Sequence, residues 1–123
     1  MTPQDVVMSY QKALGKQDYK TARSYMSDDR FSFKGPLASH DKPEDLLKDL
    51  EQLHHIVKGI EMKVFVEGND VCLLYDLITT APPATSFTCD WYHVENGKIS
   101  SIKVVFDARP YAAMFERRKN AEQ

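Results

Sequence analysis

Asn96-Gly97 stands between two runs rich in β-branched and aromatic residues, and the stretch Thr85 to Asp107 reads as one long antiparallel hairpin about it. An Asn-Gly pair accepts the positive φ values that a two-residue hairpin turn demands, whereas most other pairs do not. Asp90 sits in the middle of the first arm, between Cys89 and Trp91. Burying an unpaired carboxylate among large apolar neighbours is costly and shifts its proton affinity. Two readings of Asp90 follow from that cost: a pocket-lining acid or base, or the ion-pair partner of Lys103 on the adjacent strand. Alternation alone leaves them open, because a shift of one residue in register turns Asp90 outward.

Upstream of the hairpin the period is helical. Thr2-Pro3-Gln4-Asp5 has the form of a helix start, with Thr2 as N-cap, and Val6, Val7, Tyr10, Ala13 and Leu14 form the apolar stripe. Gly15 fits the stop, and Asp18 caps a second helix carrying Tyr19, Ala22, Tyr25 and Met26. Phe31 and Phe33 alternate with Ser32 and Lys34 as in a short strand, which Gly35-Pro36 turns. Asp41-Lys42-Pro43-Glu44 opens a third helix lined by Leu46, Leu47, Leu50, Leu53 and Val57. From Ile60 the period becomes two, over Ile60–Glu67, Val71–Thr80 and the hairpin arms. Ala81-Pro82-Pro83-Ala84 reads as a stiff connection outside the central strands, and Arg109-Pro110 ends the sheet before a short helix over Tyr111–Phe115. Helices first and strands afterwards define an α+β domain. It spans residues 1–116, with a polar tail over 117–123.

Composition excludes several function classes. At 123 residues the chain is one ordinary domain, with 16 lysines and arginines against 18 aspartates and glutamates and a pI near 6.1. That balance offers no electrostatic footprint for nucleic acid or an anionic membrane. No segment approaches the roughly 20 apolar residues of a membrane span, and the N-terminus lacks a basic region followed by an apolar run. Cys72 and Cys89 fall within expected strands, and neither they nor His40, His54, His55 and His93 have metal-ligand spacing, so no metal is expected. These features point to a cytoplasmic protein.

The succession Asp90-Trp91-Tyr92-His93-Val94-Glu95-Asn96-Gly97-Lys98-Ile99, closing on Phe106-Asp107, resembles the SnoaL-like polyketide cyclases of the nuclear transport factor 2-like superfamily. Tyr10, Asp18 and Ser27-Asp28-Asp29 are similar in spacing to the opening of the ketosteroid isomerases, another branch. The resemblance covers nearly the whole chain. It implies a cone-shaped, curved mixed or antiparallel sheet with the N-terminal helices packed on its concave face. It also implies that Tyr10 matches the isomerase's oxyanion-hole tyrosine and Asp90 its protonated, hydrogen-bond-donating aspartate. Such a pair in an apolar cavity stabilises a developing enolate oxygen. The isomerase's base is an aspartate just before a proline, and Gly35 stands there in this chain. Thr88 stands where limonene epoxide hydrolases of the superfamily keep an arginine, which argues against epoxide hydrolysis.

The expectation is therefore a small-molecule pocket running cofactor-free acid/base chemistry of the isomerase, cyclase or dehydratase type on a small apolar carbonyl compound. The alternative is a non-catalytic binding or dimerisation module of the same fold. Asp90 and Tyr10 are the catalytic candidates, with Phe33 and Tyr92 shaping the pocket. His54 adjoins His55 at a helix end, where histidine is favourable, and turned inward it supplies a base. Asp76 either nears Asp90 on the next strand, pushing the two titrations apart, or sits exposed. Asp107 borders the pocket or anchors the strand end through Arg109. Both hairpin faces are apolar, since Phe87, Cys89, Trp91, Ile102 and Val104 cannot all join the helix-covered face that takes Tyr92. The surplus predicts a homodimer through the sheet face around Trp91.

Overall fold

A computed structural model describes residues 1–59 and 62–113. Helix α1 (Pro3–Gly15) starts on a capping box: the Asp5 amide donates to Thr2 Oγ1 at 3.1 Å and the Thr2 amide to Asp5 Oδ2 at 2.9 Å. Its last residue is Gly15, the expected stop. Gln17, at φ 57°, takes the left-handed position while the Asp18 amide bonds back to the Ala13 carbonyl at 2.9 Å. Asp18 then caps α2 (Tyr19–Ser24) through the Thr21 amide.

Short strands β1 (Ser32–Lys34) and β2 (Ser39–His40) precede α3 (Pro43–His54). Lys42 is the N-cap of α3, and it makes no side-chain cap. Val57 leaves the expected helical stripe for β3 (Val57–Gly59), which is followed by β4 (Met62–Glu67), β5 (Asp70–Thr80), β6 (Pro83–Glu95) and β7 (Lys98–Val105). Pro83 is the first residue of β6, paired with Thr80, so the stiff connection is shorter than expected. A proline at a strand's first residue removes no interior ladder bond. The chain turns at Asn96 and Gly97, at φ 52° and 74°, before a 3-10 turn at Arg109–Tyr111. The helix expected over Tyr111–Phe115 and the tail expected over 117–123 run into residues 114–123, outside the described residues, as do Ile60 and Glu61.

The seven strands form one strongly curled mixed sheet in the order β2-β1-β7-β6-β5-β3, with β4 also on β5. Only β1 and β7 pair in parallel among these strands. Along β6 the even residues Ser86, Thr88, Asp90, Tyr92 and Val94 are buried, and along β5 the odd residues Val71, Leu73, Leu77 and Thr79 are. These share the concave face with Val6, Val7, Tyr10 and Ala13 of α1 and Leu46 and Leu47 of α3. The convex face carries Phe65, Phe87, Trp91 and Val105, all exposed. Among the described residues no helix is long and apolar enough to cross a membrane.

Candidate functional site

Between the helices and the concave face lies a cavity of about 560 Å³. Its walls are mainly apolar, from α1, α3, the β1–β2 loop and the sheet, and its polar group is built around Asp90. Antiparallel register sets that group. Asp90 lies opposite Leu73, which puts Tyr75, two residues further along β5, on the same face. Tyr75 Oη donates to Asp90 Oδ1 at 3.0 Å and Tyr92 Oη to Oδ2 at 3.1 Å. Gln11 Nε2, from α1, donates to Tyr92 Oη at 2.6 Å. The result is a chain running Gln11 to Tyr92 to Asp90, with Tyr75 on the second oxygen.

Asp90 is only 6% exposed, and burial pushes its carboxyl from 3.8 up to about 6. The two phenolic hydrogen bonds favour the charged form and offset burial only in part. Burial and the Asp90 charge raise the hydroxyls of Tyr10, Tyr75 and Tyr92, which stay protonated at neutral pH. Each Asp90 oxygen thus accepts from one phenol. Tyr10 lines the cavity with its ring edge-on to Tyr92, centroids 6.0 Å apart.

The other expected residues separate into two groups. Phe33, Tyr92 and His54 line the cavity with Tyr10 and Asp90, His54 from the exposed last turn of α3. Asp76 does not: it faces the convex side opposite Phe87 and is exposed, because odd and even positions of β5 face apart. Asp107 also lies outside the cavity wall, exposed, with Arg109 Nη2 on its Oδ2 at 2.6 Å holding its carboxyl down at about 2. The Lys103 alternative for Asp90 fails for the same parity reason. Lys103 pairs with Trp91, and its ammonium sits 4.7 Å from that ring's centroid on the convex face. At position 35 an added Cβ meets Phe33 Cζ at 3.2 Å, a tight approach that the phenyl ring relieves by shifting a few tenths of an ångström.

Gln11, Tyr75 and Asp49 are the site residues that the sequence reading missed. Tyr75 was legible as an aromatic on the odd face of β5, between Leu73 and Leu77. Asp49 stands on the stripe of Leu46, Leu50 and Leu53, a spacing that marks an acid on an apolar helix face. Gln11 carries no such signal. Among the described residues no cluster of three or more His, Cys, Asp or Glu is placed to hold a metal ion.

A curled sheet closed over a chamber by N-terminal helices defines the class of cone-shaped α+β proteins. An NTF2-like protein of unknown function from Cytophaga hutchinsonii is similar to this chain at 32% identity and TM-score 0.75, over 89% of this chain and 94% of that one. The chain belongs to the NTF2-like superfamily. It shares its fold with a Shewanella denitrificans protein named for the SnoaL-like polyketide cyclases, at 14% identity and TM-score 0.69 over 94% of this chain and 97% of that one. It likewise shares the fold of TerC, co-crystallised with polyporic acid, at 13% identity and TM-score 0.70 over 93% and 98%. No protein-family model matches the sequence, and no curated protein does.

Proposed function

We propose that the cavity takes a small, largely apolar carbonyl compound and that Asp90 exchanges a proton with it without a cofactor. The observation that carries this reading is a buried carboxylate at the polar group of an apolar chamber, poised at about 6. Above that pH Asp90 is a base held by Tyr75 and Tyr92; below it, an acid. The protonated Tyr10 hydroxyl is available to an oxygen that gains charge as the α carbon loses its proton. A neighbour of the same fold, TerC, was co-crystallised with polyporic acid, which is in keeping with a small-molecule chamber. Exchange of the α protons of 2-tetralone in D2O, followed by NMR, tests the reading. Asp90→Asn is expected to slow exchange of the α proton on the sheet side by about 100-fold; an unchanged rate for that proton overturns it.

Gly35, at the place where the isomerase resemblance puts a base, favours a second reading, a binding module that kept the cone without turnover. There 2-tetralone binds, Asp90→Asn alters its affinity, and no exchange exceeds that of acetate buffer.

The exposed Phe65, Phe87, Trp91 and Val105 support a homodimer through the convex face. Light scattering is expected to give twice the chain mass, and Trp91→Ala to give monomers. Cys72 and Cys89 are unbridged on that face, which suits a reducing cytoplasm.

A further inference from the structure

Asp49 stands among the leucines that α3 turns to the cavity: Leu46, Leu50 and Leu53 line the same wall, with Gln52 and His54 at its end. A carboxylate in such a stripe is costly unless it is hydrogen-bonded. His40 supplies the bond, with Nε2 at 2.7 Å from Asp49 Oδ2, and the two side chains are 19% and 25% exposed. The imidazole is itself fixed twice. His40 pairs with Phe33 across β1 and β2, and its ring stacks on the Phe33 ring at 5.8 Å and 25°. Phe33 is cavity wall as well. Strand pairing and ring stacking hold His40, and its hydrogen bond to Asp49 helps to hold an acid at the cavity from the helical side, while Asp90 belongs to the sheet side.

We propose that Asp49 is a second proton-transfer group of this cavity, with His40 as its positioning residue. The inference rests on the reading of Asp90 as the first. A flat carbonyl compound lying between sheet and helix presents one face of its α carbon to each carboxylate. Either carboxylate breaks the C–H bond on its own side: the proton goes to the carboxylate oxygen and the C–H electron pair moves into the enolate. In D2O the carboxyl exchanges with solvent and returns a deuteron, re-forming the C–H bond as C–D. Two carboxylates on facing walls therefore exchange both protons of one α carbon, whereas one carboxylate exchanges chiefly the proton on its side.

The test counts deuterons at C1 of 2-tetralone by NMR. Wild type is expected to incorporate two at comparable rates. Asp49→Leu should stop after the first, with the second slowed by about 100-fold toward the solution rate. Leucine continues the stripe of Leu46, Leu50 and Leu53, and Asp49→Asn serves if Asp49→Leu does not fold. His40→Gln, which still donates to Asp49, should keep most of the second exchange, and His40→Leu should lose it. Second-deuteron exchange by Asp49→Leu at the wild-type rate overturns the inference and leaves Asp90 standing. Loss of both exchanges in Asp90→Asn alone does the same. Asp90→Asn that keeps one exchange, abolished by adding Asp49→Leu, supports it. Wild-type exchange no faster than acetate sinks the Asp90 reading and this inference with it.

Discussion

Asp90 and Asp70 each accept two side-chain hydrogen bonds on the same pair of strands, yet their proton affinities move in opposite directions. Asp70, on the convex face, accepts from Trp91 Nε1 at 2.9 Å and meets His93 Nδ1 at 2.8 Å, and its carboxyl is held below its ordinary value by those partners. Asp90, on the concave face, accepts from two tyrosines at 3.0 and 3.1 Å and is pushed up to about 6. Hydrogen bonds favour the charge in both places. The difference is water: Asp70 keeps part of its hydration, and Asp90 has lost it. The contrast teaches that partners alone do not set a carboxylate's state; desolvation outweighs two neutral donors.

The largest test of that contrast is Asp90→Asn. A carboxyl raised from 3.8 to about 6 favours the folded state fully below the lower value and loses that contribution as pH rises through the upper one. The variant should gain up to about 3 kcal/mol over wild type at pH 8 and nothing below pH 4, read from denaturant melts. A gain that does not depend on pH breaks the comparison. Tyr92→Phe removes the hydroxyl between Gln11 and Asp90 and should cost about 1–3 kcal/mol while raising the Asp90 midpoint further. Carboxyl NMR reads the midpoint, and a fall there contradicts the donor assignment.

On the convex face the effects are smaller. Trp91→Ala loses the contact with Lys103 and the bond to Asp70, about 1 kcal/mol in a dilute monomer. A loss that grows with protein concentration marks the homodimer instead. Smallest is His93→Gln. Asp70 raises the imidazole, whose contribution is present below its ordinary 6.5 and lost as pH climbs through the folded value. Asp70 is lowered, so its share fades as pH falls below its ordinary 3.8. The pair is a third or more exposed on each side, so between those values the variant should cost about 0.2–1 kcal/mol, and nothing at pH 9. A cost persisting at pH 9 assigns His93 a packing role.

Much of this contrast was legible before any coordinates. The period of two puts Asp90 and Tyr92 on one side of β6 and Trp91 and His93 on the other, whatever the neighbours are. The Asn96-Gly97 turn, the Thr2–Asp5 box and the Asp18 cap are local chemistry and appear where the residue types require them. Asp76 was less tractable. Its distance from Asp90 depends on inter-strand register, which the two strands settle together, and parity sent it to the outside. Val57 shows the same limit at a boundary: a helical stripe and a strand start share an apolar residue there, and pairing with Thr79 decides.

By itself, then, the order of residues determined the elements, the alternation of each strand and the presence of a carboxylate on an apolar arm, because each depends on neighbours a few positions away. Only the tertiary structure decided what that carboxylate meets. Tyr75 comes from another strand and Gln11 from a helix 81 residues before Tyr92. The His40–Asp49 pair needed β2 to lie beside α3. Those meetings, and the loss of water that lifts Asp90 to about 6, exist only when the sheet has curled and the helices have closed over it.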